Sequence, residues 1–319
     1  MTTTRKLAQP LRGIVTPMVT PLTADDQLDV QGLERLIEHL VAGGVHGLFI
    51  LGTCGEGPSL NPRLRRHVVD HVCRVVQGRI PVLVGISNTS YVESVELAGR
   101  AADAGADALV LAPPYYLPVS QTELQQYVLR LVRDVSLPLV LYNMPELTQV
   151  SFEPDTVRRL LQEERIIGLK DSSGDLDYFQ KIRQITRERA DWTLLMGPEH
   201  LLAKSIELGG DGGVSGGANV CPRLFVELFE AAVAKRKDDL ACLVEKADRL
   251  GKIYQIGTPS AASVIKGLKS ALSILNICDD FVAEPLERLS PAGREQVESI
   301  LRALDIQAVN QGCSSTRHC

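Results

Sequence analysis

A single lysine ends a run of apolar residues in ERIIGLKDSSGD, residues 164–175, with Asp, Ser, Ser and Gly directly behind it. Lysine is among the residues least often enclosed in a protein. An apolar setting disfavours an ammonium ion and makes the neutral amine accessible for attack on a ketone, so Lys170 is a candidate for Schiff-base chemistry. The residues alone leave a second reading equally open, in which the amine pairs with Asp171 or Glu56. Tyr142 offers a phenol that can move a proton to or from a substrate, or else a packed ring with a satisfied hydroxyl. In GTCGEG, residues 52–57, the glycines allow a tight turn whose amides at Thr53, Cys54 and Gly55 can form a nest for a carboxylate. The plainer alternative is a linker. GDGGVSGGAN, residues 210–219, can cradle phosphate or let a substrate approach the backbone; the second reading is favoured and makes Val214 a contact candidate.

These residues need elements that bring them to one place. Apolar runs of strand length recur eight times: residues 13–19, 47–51, 81–85, 108–112, 138–142, 166–170, 192–196 and 212–216. Between them lie stretches such as VQGLERLIEHLVAGG, NPRLRRHVVDHVCRVV and QTELQQYVLRLVRD, whose apolar positions return every three or four residues as in amphipathic helices. Strands that are apolar on both faces require helices over them, and eight such units match an α/β fold of the (β/α)8 TIM barrel type. An open doubly wound sheet is the competing architecture, but the first strand lacks a G-x-G-x-x-G loop behind it. In a barrel, chemistry collects where strands end. Those junctions hold Thr53, the PPYY at 113–116, Tyr142 and Lys170, and Lys170 is the only lysine there. From about residue 224 the strand signals stop. The expected organisation is an N-terminal extension at 1–12, a catalytic barrel at 13–230, a small C-terminal helical domain at 231–310 read as an appendage, and a disordered tail at 311–319.

Composition narrows the classes further. The chain has 319 residues, a formal charge of -5 and no extended basic surface, which argues against nucleic-acid and membrane partners. No apolar segment approaches the roughly 18 residues of a membrane span. Seven cysteines without a C-x-x-C pair suit a reducing compartment, so a cytoplasmic location is expected. Six histidines do not gather at strand ends; His67 and His71 share a helix face, and a solvated face is the favoured reading over a zinc site.

Taken in order, LRGIVTPMVTP, GTCGEG, PPYY, YNMP and GLKDSSGD resemble the dihydrodipicolinate synthase and N-acetylneuraminate lyase family of pyruvate-dependent class I aldolases, over almost the whole chain. The resemblance implies that Lys170 condenses with the keto carbon of pyruvate or a 2-keto acid, and that Tyr142 is the general acid/base. It implies that Thr53 links Tyr142 to Tyr116, a second tyrosine contributed across a tight dimer interface within a homotetramer, a dimer of dimers. The amides of Thr53 and Cys54 would take the pyruvate carboxylate. No cofactor or metal is required, because a protonated imine is itself the electron sink.

Substrate choice follows from departures within the same resemblance. Synthases place an arginine in Y-N-x-P-x-R-T to hold the carboxylate of aspartate semialdehyde, and here that position is Leu147, which cannot make a paired hydrogen bond. The synthase alternative would need another cation, such as Arg12 or Arg223. The lyases' YNIPALSG and LKQTSGD are closer, which places Ser172 near the substrate. Their Asp-Glu pair is reduced here to Pro198 and Glu199, and their serine after the last strand becomes Gly216. A 2-keto-3-deoxy sugar acid, an N-acetylneuraminate-like substrate or a 4-hydroxy-2-oxo acid fits this pattern. A phosphosugar enzyme and a non-catalytic keto-acid sensor are the two rival classes.

Overall fold

The computed structural model describes residues 7–258 and 260–307. The tail expected at 311–319 lies outside them, as do residues 1–6 and 308–310 of the flanking segments. Strands β1 (Gly13–Pro17), β4 (Gly47–Ile50), β5 (Val82–Gly85), β6 (Ala108–Leu111), β7 (Leu139–Asn143), β8 (Ile166–Asp171), β9 (Thr193–Met196) and β10 (Gly212–Gly213) pair in parallel. They close in the order β1-β10-β9-β8-β7-β6-β5-β4, a (β/α)8 barrel. A small hairpin, β2 (Leu22–Ala24) with β3 (Gln27–Leu28), leads from β1 to its helix. All eight expected strands are present. The last is shorter than its five-residue pattern, because beyond Gly213 the chain turns into the loop over the barrel mouth.

Two apolar layers hold the barrel. Side chains facing outward, such as Leu48, Leu109, Leu141 and Leu169, are buried against the helices, and the inward set includes Val15, Phe49, Leu83, Val140 and Leu195. The helices begin where local chemistry can satisfy their free amides. Asn61 accepts the Leu64 amide ahead of helix Pro62–Val76, and Ser120 with Glu123 forms a capping box ahead of Gln121–Asp134.

Residues 7–12 are less of an extension than expected. Leu7 and Leu11 are buried in the barrel interior, and the Leu11 amide donates to Thr193 Oγ1 at 2.8 Å, so this segment closes the N-terminal end of the barrel. The boundary expected at 230 also shifts. It falls inside helix Pro222–Val233, which packs on β1 and continues unbroken to 233; the helices Lys237–Gly251, Ala261–Ile274 and Pro291–Ala303 follow. Among the described residues, no helix is long and apolar enough to cross a membrane.

Candidate active site

Lys170 and Tyr142 stand side by side because of one irregularity in strand pairing. β7 and β8 pair as Leu139 with Ile166 and then Val140 with Gly168, so Ile167 is an extra residue without a partner of its own. Side chains alternate between faces along a strand, and an inserted residue reverses the faces beyond it. Leu139 and Ile166 lie in the outer layer, as do Leu141 and Leu169 past the bulge. The next pair, Tyr142 with Lys170, therefore faces the barrel interior. An even count from Ile166 would have turned Lys170 toward the helices. Gly168 fits this path because a Cβ there would lie 2.6 Å from the Thr193 carbonyl oxygen.

Lys170 is 6% exposed. Its Nζ lies 3.9 Å from the centre of the Tyr142 ring and 4.9 Å from that of Phe49. Among the described residues it has no hydrogen bond or ion pair. Neither suspected partner binds it: Asp171 accepts from Asn143 Nδ2 at 3.0 Å and from the Ser173 amide at 3.0 Å, and Glu56 pairs with Lys269. The purely structural reading of the amine thus loses its counter-ions. The amine opens instead onto a cavity of about 520 Å³, the size of a small-molecule site.

The turn after β4 adds Thr53 and Cys54 to the wall. Thr53 Oγ1 lies 3.2 Å from the Tyr142 hydroxyl, so a proton can pass between them. Leu51 leaves the strand in the left-handed region, with φ 58°, and a Cβ at Gly57 would come within 2.1 Å of its carbonyl oxygen. Only glycine closes this turn. Thr20 Oγ1 secures it further by donating to the Gly55 carbonyl at 2.7 Å. Among the described residues, the amides of Thr53 and Cys54 serve no backbone acceptor, and both residues line the cavity, an arrangement able to receive an anion. Burial pushes the Cys54 thiol up to about 11, so it remains protonated near neutral pH and is a poor nucleophile.

Glu199 also lines the cavity. Its Oε2 accepts the Gly217 amide at 2.8 Å, while Oε1 and the hydroxyl of neighbouring Tyr254 make no hydrogen bond of normal geometry. Burial pushes the carboxyl up to about 7, against the Gly217 amide and Tyr254 hydroxyl, which favour its ionised form. Burial and the nearby Glu199 charge hold the Tyr254 phenol well above its ordinary range.

Of the residues singled out from the sequence, Lys170, Tyr142, Thr53, Cys54, Ser172, Glu199 and Val214 all line this one cavity. Tyr116 does not. It is 82% exposed with φ 82° and is not part of the cavity wall. Leu147 is also off the wall and 42% exposed, whereas its neighbour Glu146 lines it. Arg12 lies 3.7 Å from Asp211 at the N-terminal end of the strands, and Arg223 pairs with Glu227 on a helix surface, so neither serves the cavity. His71 is buried between Glu34 and Arg74, which corrects the expectation that it lies on a solvated face.

The sequence reading missed several contributors. Phe49, whose ring lies 4.9 Å from Lys170 Nζ, was hidden in an apolar strand, where nothing in the sequence tells an inward-facing aromatic from an outward-facing one. Tyr254, Ser260, Ala261 and Val264 come from the C-terminal helical region, which is therefore part of the site and not an appendage. No local signal marks them. Asn219 joins the ends of β1 and the β10 loop by donating to Pro17 O at 3.0 Å and Gly216 O at 2.9 Å.

The geometry agrees with comparisons to known proteins. The family model for the dihydrodipicolinate synthetase family matches residues 10–304. A probable 2-dehydro-3-deoxy-D-pentonate aldolase of Escherichia coli, YjhH, is 33% identical over 302 residues, which is 93% of this chain and 98% of the relative. The structure of dihydrodipicolinate synthase from Bacteroides thetaiotaomicron superposes with a TM-score of 0.90 at 48% identity, covering 92% of this chain and 99% of that one. YagE of Escherichia coli, a prophage protein of the dihydrodipicolinic acid synthase family crystallised with pyruvate, gives 0.88 at 31% identity, covering 93% and 99%. With a buried lysine and tyrosine paired at the mouth of the matching barrel, the chain belongs to the dihydrodipicolinate synthetase family and is an enzyme of its class I, pyruvate-dependent lyase type.

Proposed function

We propose that the protein cleaves or forms a 2-keto-3-deoxy sugar acid through an imine between Lys170 and the keto carbon of pyruvate. The observation that carries this reading is the charge of the cavity wall. Apart from Lys170, no lysine or arginine lines it among the described residues, while Glu146 and Glu199 do. A partner aldehyde with its own carboxylate, such as aspartate semialdehyde or the aldehyde half of 4-hydroxy-2-oxoglutarate, would meet two acids and no guanidinium or second ammonium, with His200 the remaining basic group on the wall. A hydroxylated tail would meet acceptors it can donate to.

In the cleavage direction, the Lys170 amine attacks the 2-keto carbon and water leaves. Tyr142 delivers and removes the protons, with Thr53 holding its hydroxyl. The Thr53 and Cys54 amides receive the carboxylate. Tyr142 then takes the proton of the C4 hydroxyl as the C3–C4 bond breaks, and the electron pair of that bond is delocalised into the iminium. Protonation of the resulting enamine and hydrolysis release pyruvate and return the amine. These steps need no metal or added cofactor. Ser172 and Glu199 are assigned to the hydroxyls of the aldehyde portion, beside Val214.

The exposed Tyr116, held at φ 82° beside an exposed Leu117, suits a residue completed by a second copy of the chain. We propose a homotetramer, with the tight dimer as the smallest active unit, in keeping with the family resemblance, and a cytoplasmic location in keeping with the cysteine usage. Borohydride reduction in the presence of pyruvate, followed by peptide mass analysis, tests the imine. A coupled assay of pyruvate release from 2-keto-3-deoxy acids, run beside aspartate semialdehyde condensation, tests the substrate class. Faster turnover of the semialdehyde would overturn the proposal.

A further inference from the structure

The turn that presents Thr53 and Cys54 is also held by a contact that the imine chemistry does not use. The side chains of Glu56 and Lys269 are both fully buried and form an ion pair through Glu56 Oε1. Glu56 Oε2 accepts the Ala283 amide at 2.7 Å, and Lys269 Nζ donates to the Phe281 carbonyl at 2.7 Å. Glu56 itself sits in the left-handed region, with φ 54°. One carboxylate therefore ties the β4 turn to helix Ala261–Ile274 and to the segment that follows that helix.

Desolvating two charges consumes much of what their attraction returns, so such a pair is poorly explained as a source of stability. What it does supply is direction, because each partner is fixed by a second hydrogen bond to the backbone. It also neutralises a carboxylate close to the amides that would meet an incoming anion. The first turns of the same helix reach the catalytic cavity through Ala261 and Val264, so Lys269 joins one wall to the other.

We propose that Lys269 is a positioning residue for pyruvate: acting through Glu56, it sets the Thr53 and Cys54 amides where they meet the carboxylate, so the C-terminal helix tunes pyruvate affinity. This inference rests on the reading above, in which those amides bind pyruvate and Lys170 forms the imine.

The test compares the parent with the double variant Glu56→Gln/Lys269→Met, which leaves no unpaired buried charge and keeps an acceptor for Ala283. Pyruvate is titrated against the yield of borohydride-trapped adduct on Lys170, with urea unfolding and kcat measured on the same samples. The expected result is a half-saturating pyruvate concentration raised about tenfold or more, with any fall in kcat, through the contact of Thr53 with Tyr142, smaller than that factor, and a near-parental urea midpoint. A folded variant that half-saturates within about twofold of the parent overturns the proposal, as does a loss of kcat and stability with no change in half-saturation. Should the double variant fail to fold, Glu56→Asp keeps the charge and shortens the reach, and the same rise or its absence decides the matter. An absent adduct in the parent at every pyruvate concentration would instead refute the imine reading, before any variant is compared.

Discussion

Glu199→Gln isolates the electrostatic state of the cavity wall. Burial raises this carboxyl from 4.5 in the unfolded chain to about 7 in the fold. A group with a raised folded value contributes fully below the unfolded value, and that contribution is lost as pH rises through the folded one. At about 1.4 kcal/mol per pH unit, ionisation of Glu199 costs the native state about 3 kcal/mol by pH 8 and almost nothing near pH 4. Glutamine keeps the shape and an acceptor for the Gly217 amide but does not titrate. Urea unfolding of both proteins at about pH 5 and about pH 8 should therefore show the variant gaining on the parent by about 2–3 kcal/mol as pH rises, while other carboxylates cancel in the comparison. A stability difference that stays flat across this range would refute the assignment of a strained, titrating carboxylate. The same substitution should weaken binding of a hydroxylated substrate, because Glu199 lines the cavity and its Oε1 has no protein hydrogen bond.

Lys170→Ala should abolish both turnover and the pyruvate adduct while circular dichroism stays unchanged; retained turnover would exclude the imine. Tyr142→Phe keeps the ring beside Lys170 and removes the hydroxyl that meets Thr53, so kcat should fall about 100-fold while the adduct still forms on long incubation. Activity within a few-fold of the parent would assign the proton transfers elsewhere. Gly197→Ala would place a Cβ 1.9 Å from Ser172 Oγ and 2.9 Å from the Asp171 carbonyl oxygen, so a loss of about 1–3 kcal/mol in urea unfolding is expected. Parental stability would show that the β8 and β9 ends can separate without cost.

The barrel and the placing of Lys170 at its mouth were legible in the sequence, because both rest on local patterns. Apolar runs alternating with amphipathic stretches specify strands and helices through backbone geometry alone, and the end of each strand is where a closed barrel opens. That reasoning brings Lys170, Tyr142 and Thr53 to one rim without any knowledge of distance. Tertiary contact decided the rest. Whether Lys170 points inward depends on the bulge at Ile167, which exists only as a mismatch between two strands and reverses every face beyond it. Likewise, Glu56 was released as a partner for Lys170 only because Lys269 reaches it from far along the chain, and Tyr254 joins the cavity from helices that carry no strand-end signal. Periodicity records which face of an element is apolar; it holds no information about which distant side chain arrives to neutralise a charge or complete a wall, because those choices are made by packing between elements.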